Sequence, residues 1–228
     1  LKEIEKKNIL NCQKHRGPDV CKFQEKDNLI FFHNRLKIID LSNRSNQPFN
    51  SKKSGNVIVF NGEIYNFKIL TEKLAEFKFQ SNSDTEVLLN MYIKYNYKCL
   101  DYLDGMFAFA IYDNKEKKIF CARDKFGIKP FYYFYDKKKF CFSSEIKTLS
   151  LMGVHREHNN KAVLRYLNSE YHEHQFETFY KNIYKIKSGN YIVIDKTGKF
   201  SQKNYFNFKN KYKSIQIPSN KDEKIEVI

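Results

Sequence analysis

The alternation of apolar and polar positions divides the chain into an early mixed region and a later strand-rich one. Residues 2–14 read as the end of a helix, broken by the rigid turn His15-Arg16-Gly17-Pro18-Asp19. Residues 29–41 are largely apolar and read as extended structure. Residues 55–60 form a short apolar run, a buried strand that ends at Asn61-Gly62. Leu70, Leu74 and Phe77 then recur at helical spacing. A second helix opens at Ser83-Asp84-Thr85-Glu86, with capping side chains, an acidic first turn, and Val87, Leu88, Met91, Tyr92 and Tyr95 on one face. Beyond Gly105 the period shortens to that of strands. Residues 106–112, 118–122, 130–135 and 140–142 are expected to form an antiparallel meander. Short helices follow at 144–151 and 161–168, then a hairpin from 189–194 and 199–206. Antiparallel strands with helices gathered between them predict an α+β fold, not a doubly wound parallel sheet.

The chain has 228 residues, 41% of them hydrophobic and 16% aromatic, which is enough for a substantial core carried by Phe and Tyr. No apolar run approaches the roughly 20 residues that span a bilayer, and the first residues lack an apolar signal region. The formal net charge of +15 raises nucleic-acid binding as a hypothesis. Of 41 basic residues only six are arginines, the residue suited to bidentate phosphate and base contacts. The lysines are spread over turns, so the excess reads as solvated surface, and neither nucleic acid nor membrane is an expected partner. Five cysteines without a C-x-x-C pair argue against a zinc site and a disulfide framework, and a reducing cytoplasm is the expected location. There is no Gly-rich phosphate loop and no metal-ligand cluster in the sequence, so no cofactor or metal is expected in this domain.

Four polar islands interrupt the apolar pattern: His15-Arg16-Gly17-Pro18-Asp19, Arg35, Asn61-Gly62-Glu63 and Asp84. Each has a plain reading. Asn-Gly is a common two-residue hairpin turn, Arg35 an edge-strand or surface arginine, and Asp84 a helix cap. Asn61 and Gly62 have a second reading, because a side-chain amide beside a glycine N–H forms a donor pair of the kind that holds an oxyanion.

Taken in order, the islands and their surroundings resemble the glutaminase domain of glutamine-hydrolysing asparagine synthetases, a branch of the class II (N-terminal nucleophile) amidotransferases. The matching strings are HRGPD (15–19), NRLKIIDL (34–41), QPF (47–49), FNGEIYN (60–66), SDTEV (83–87), LDGMFAFAIYD (103–113), ARDKFGIKPFYY (122–133), SSEIKTL (143–149) and GNYIVID (189–195), and they span almost the whole chain. The resemblance implies a four-layer αββα fold of two packed antiparallel sheets flanked by helices. It also implies a domain over 1–206 and a linker over 207–228 toward an ATP-dependent synthetase domain.

The implied activity is a ligase with glutaminase chemistry: L-glutamine is hydrolysed to glutamate and ammonia for amidation of aspartate in asparagine biosynthesis. ATP and Mg²⁺ are expected in the synthetase domain, and the partners expected are L-glutamine, that synthetase domain and a homodimer mate. By the same resemblance Arg35 clamps the substrate carboxylate, Ile38 and Ile39 offer backbone groups beside it, and Glu63 and Asp84 receive the ammonium. Asn61 and Gly62 form the oxyanion hole. The family's nucleophile is a Cys at the mature N-terminus that uses its own amine as base. Leu1 opens this sequence instead, so these residues read as a fragment, inactive alone, that carries the substrate-holding half of the site. Two alternatives stay open: amidation of another carboxylate, such as a sugar acid in surface-polysaccharide synthesis, and a catalytically inactive glutamine-binding relative.

Overall fold

The computed structural model describes residues 1–169 and 176–208. The helix α1 (Glu3–Cys12) leads into the hairpin β1 (Val20–Lys26) and β2 (Leu29–Arg35). After a loop come β3 (Phe49–Asn50), β4 (Val57–Ile64), α2 (Phe67–Glu72) and α3 (Asp84–Tyr95). The second half supplies β5 (Gly105–Asp113), β6 (Lys118–Arg123), β7 (Tyr132–Tyr135), β8 (Phe140–Ser143), α4 (Ile146–Leu151) and α5 (Asn160–Ser169). It closes with β9 (Ile183–Lys185), β10 (Asn190–Ile194) and β11 (Phe200–Asn204).

These elements stack in four layers. The central layer is a six-stranded antiparallel sheet in the order β11-β10-β6-β5-β4-β3. Strand alternation sends Ile58, Phe60, Phe107, Phe109, Ile111 and Phe120 to one face, where they pack on Leu70 of α2 and on Leu88, Met91 and Tyr92 of α3. Val57, Val59, Ala108, Ala110, Cys121 and Ile192 point the other way, against Phe31 of β2, Tyr133 of β7 and Phe131. That second strand layer is divided into the β1–β2 hairpin and a three-stranded sheet, β8-β7-β9. Outside it lie α1 and α4, with Leu149 of α4 buried on Cys141 and Ile183. The expected αββα order is therefore observed, with the second sheet in two pieces. Among the described residues β2 and β8 each leave one edge without a strand neighbour.

Three expectations change. Asn61-Gly62 does not end a strand in a turn: β4 runs through to Ile64 in unbroken register with β5, Asn61 opposite Ala108 and Gly62 opposite Phe107. Strong cross-strand apolar pairing on either side carries the dipeptide along in extended form, overriding its local turn preference. The extended run 29–41 is strand only to Arg35, beyond which 36–42 is a loop whose Asp40 adopts φ 51°. The meander breaks after β6, which pairs with β10, while β7 joins the other layer.

The cause of that break lies in Arg123-Asp124. The fully buried Asp124 carboxylate accepts from the backbone N–H groups of Phe107, Phe126, Ile128 and Lys129 at 2.9 to 3.2 Å. Arg123 donates to the carbonyls of Lys129 and Ile186 at 2.7 and 2.9 Å, and to that of Gly127. Together they fold residues 124–130 into a tight turn that redirects the chain from one sheet to the other. Residues 170–175 and the part of the expected linker at 209–228 lie outside the described residues.

Candidate functional site

A cavity of about 560 Å³ opens between β2 and β8, over the inner face of β4 and β5. Arg35, Ile38, Ile39, Asn61, Gly62, Glu63 and Asp84 all line it, so one concavity gathers residues up to about fifty positions apart in sequence. They arrive from three elements: the end of β2 with its following loop, the second half of β4, and the first turn of α3.

Arg35 is not a surface residue. It is 5% exposed, and its guanidinium donates to Ser42 O and Asn46 Oδ1 at 2.8 and 2.9 Å, to Ile39 O at 3.2 Å, and to Asp40 O. Burial draws its pKa down, opposed by the charges of Asp40, Asp19 and Asp84. The 36–42 loop is thus wound around the guanidinium. The Ile39 carbonyl is turned to Arg35, while Ile38 projects outward at 60% exposure. Asp40 ties this loop to the α3 entry: its carboxylate accepts from Asn82 N at 2.7 Å and Ser42 N at 3.0 Å. Desolvation opposes ionisation of Asp40, but its hydrogen bonds outweigh that and hold the carboxyl well below its usual range.

The island at 15–19 supports this loop from beneath. Gly17 approaches β2 so closely that a Cβ there would lie 2.1 Å from Asn34 O. Asp19 accepts from Lys37 N at 2.8 Å. His15 meets the Glu145 carboxylate at 2.7 Å, and Arg16 at 3.5 Å.

On β4, alternation turns the Asn61 and Glu63 side chains to the inter-sheet face and leaves Phe60 and Ile64 in the helix-side core. Asn61 Nδ2 reaches Ser144 Oγ at 3.5 Å. Gly62 is required by packing, since a Cβ would fall 2.2 Å from Met106 O and 2.8 Å from Phe107 Cα. Asp84 is not the helix cap. Ser83 holds that place, its Oγ accepting from Glu86 N at 3.3 Å. Asp84 instead turns to the edge of β4 and accepts from Ile64 N at 3.1 Å. Desolvation, with the nearby Glu63 charge adding to it, pushes its carboxyl up to about 6 despite hydrogen bonds that favour the anion. A carboxylate this desolvated invites a cation.

Several residues at the site carry no signal that sequence reading used. Gln47, Thr85, His33 and Ser144 line the same cavity. Gln47 lay within a matched string, QPF, without a role attached, and His33 sat unremarked two positions before Arg35. Of the cysteines, Cys12 faces Thr148 Oγ1 at 3.8 Å and Cys21 lies beside Asn34 at 3.1 Å, neither on the cavity wall. Cys141 does line it, but burial pushes its thiol up, the opposite of what a nucleophile needs. Among the described residues there is no group of three or more His, Cys, Asp or Glu that could hold a metal ion, and no helix long and apolar enough to cross a membrane.

A buried arginine, an extended strand edge and two carboxylates converge in this cavity, and the family described as "Glutamine amidotransferase domain" matches residues 2–206. The chain belongs to that family. It is 34% identical to the "Putative asparagine synthetase [glutamine-hydrolyzing] 2" of Methanocaldococcus jannaschii over 226 residues, covering 85% of this chain and 41% of the relative. It is 36% identical to "Asparagine synthetase [glutamine-hydrolyzing] 2" of Bacillus subtilis, covering 84% and 26%. "Amidase chry2" of Gibberella zeae matches at 35%, covering 78% and 26%. The chain therefore spans less than half the length of these relatives. A solved glutamine phosphoribosylpyrophosphate amidotransferase from B. subtilis shares the fold, with a TM-score of 0.50, 20% identity, and 70% of this chain and 32% of that one covered.

Proposed function

We propose that this glutamine amidotransferase domain binds L-glutamine in the cavity between β2 and β8 and carries its hydrolysis to glutamate and ammonia. The observation that carries the reading is the match between the cavity's charges and the three polar ends of glutamine. Arg35 stands at the carboxylate end, where its buried positive charge attracts the anion while its terminal N–H groups hold the loop that shapes this wall. Asp84 and Glu63 stand at the ammonium end, and a cation arriving there offsets, by its charge, the desolvation that raises the Asp84 carboxyl. The side-chain amide then falls over Asn61 and Gly62, whose N–H donors stabilise the negative oxygen of a tetrahedral intermediate. The attacking group in this reading is the N-terminal cysteine thiol expected from the family, its own amine taking the proton. Carbonyl addition forms the C–S bond, collapse releases ammonia, and water returns glutamate.

Aspartate is the acceptor we assign to the ammonia, through an ATP- and Mg²⁺-dependent synthetase domain joined beyond a domain boundary near residue 206, in a cytoplasmic enzyme. Homology to asparagine synthetases supports this assignment. The test is glutamine-dependent ammonia release by the product of the complete gene, beside a variant with the expected N-terminal cysteine replaced by Ala. One glutamate per ammonia, abolished in the variant, is the expected result. Equal background release from both would favour a non-catalytic glutamine-binding relative. Amidation of a sugar acid in place of aspartate would move the acceptor and leave the glutaminase assignment intact.

A further inference from the structure

The outer edge of β4 is where the site is built, and it is held in an unusual way. β3 pairs with β4 only at Phe49–Ile58 and Asn50–Val57, so from Phe60 onward β4 has no strand on that side among the described residues. Backbone groups on such an edge need partners. At Phe60 two side chains supply them. The Gln47 Oε1 accepts from Phe60 N at 2.6 Å, and His33 Nε2 donates to Phe60 O at 3.1 Å. At Ile64 the Asp84 carboxylate plays the same part, at 3.1 Å. The unbroken register with β5 means that alternate residues face the same edge, so the Gly62 N–H lies between these two anchored positions. It is the donor left for substrate.

Gln47 also spans the site. Its Nε2 donates to Thr85 Oγ1 at 3.3 Å, and both residues are buried. One amide therefore bridges the residue before Asn61 and the residue after Asp84, linking the donor end of the cavity to its ammonium end. We propose that Gln47 is a positioning residue for the glutaminase reaction: with His33 it stands in for a missing strand at Phe60, and through Thr85 it sets the distance between the Asn61–Gly62 donors and Asp84. This assignment rests on the reading of the cavity as a glutamine site. His33 serves the clamp as the neutral imidazole. Phe60 O can only accept, which puts the proton on Nε2, and burial lowers the pKa of the ring to about 4. Its Nδ1 is then an acceptor, buried and without a partner among the described residues.

Glutamine binding through Arg35 and Asp84 is a ground-state interaction, whereas oxyanion donors act on the transition state, so the clamp should govern kcat more than affinity. Two experiments separate the outcomes. In the complete gene product, Gln47→Met should lower kcat for ammonia release by about 10-fold with the glutamine KM changed less than about 2-fold. Thr85→Val, which cuts only the far end of the bridge, should give a smaller loss of the same kind, and the double variant should be no worse than Gln47→Met alone. Gln47→Glu, which keeps an acceptor for Phe60 N–H, should recover part of the kcat. Unchanged kcat in Gln47→Met and Thr85→Val, or equal losses in kcat and affinity, would overturn the assignment.

In parallel, amide hydrogen exchange on the complete gene product should quicken by about 10-fold at Phe60 in Gln47→Met, with β5 and β6 unaffected. Absence of glutaminase activity in the wild-type gene product would count against the proposed function. The exchange result would still decide the clamp: unchanged protection at Phe60 removes it.

Discussion

At Asp84 desolvation outweighs the backbone hydrogen bonds that favour the carboxylate, and that has a measurable consequence. A carboxyl held at about 6, against an ordinary value of 3.8, favours the native state when protonated and penalises it when ionised. The penalty is fully present above about pH 6 and fades as pH falls toward 4, amounting to about 3 kcal/mol at most. Asp84→Asn keeps an oxygen for Ile64 N–H and removes the charge. It should therefore be more stable than wild type at neutral pH by about 2 kcal/mol in urea unfolding, with the gap closing between pH 6 and 4, and it should lose glutamine affinity. His33 runs in the opposite sense. With its pKa lowered from 6.5 to about 4, the stability it contributes is complete above pH 6.5 and is lost as pH falls through that window.

At Arg35 stability and function run together. Arg35→Met strands the carbonyls of Ser42, Ile39 and Asp40 without their donor, and should cost about 3 kcal/mol, read as a lowered urea midpoint, along with glutamine binding. Its charge inside an apolar run was visible in the sequence. Its burial was not, because the partners are backbone carbonyls of a loop that no local pattern announces.

Among the elements, β4 shows most clearly what pattern reading can and cannot reach. Its apolar half, Val57 to Phe60, was legible from composition alone. The second half was not, since Asn-Gly has a strong local preference for turns and only the facing residues of β5 hold it extended. Gly62 records that constraint. Gly62→Ala would press a methyl into Met106 O and Phe107 Cα, and should destabilise by about 3 kcal/mol or more, seen as a large drop in melting temperature or failure to fold. α3 was the converse case: Ser83 caps it as its sequence predicts. Glu86, however, turns back to the N–H groups of Gln80 and Ser81 at 2.7 to 3.0 Å instead of closing a capping box. It stiffens the loop that carries Asp84 into place.

Across the whole molecule, strand alternation pointed only to an α+β class, and the four-layer order followed from the family resemblance. The routing between sheets did not follow from either. The turn at 124–130 depends on four backbone N–H groups converging on one buried carboxylate, a non-local arrangement with no periodic signature. The lysine-rich surface remains a solvated coat in this account, and the function lies in a cavity whose candidate residues come from β2 and its following loop, β4 and α3. The central claim is that the outer edge of β4, at Gly62, is where glutamine is held. Titrating L-glutamine into ¹⁵N-labelled protein and following the Gly62 amide resonance tests it directly. A saturable shift at Gly62 and Ile64 with L-glutamine, absent with D-glutamine and in Asp84→Asn, is the predicted result; a Gly62 resonance that stays fixed while L-glutamine binds elsewhere, or does not bind, would contradict it.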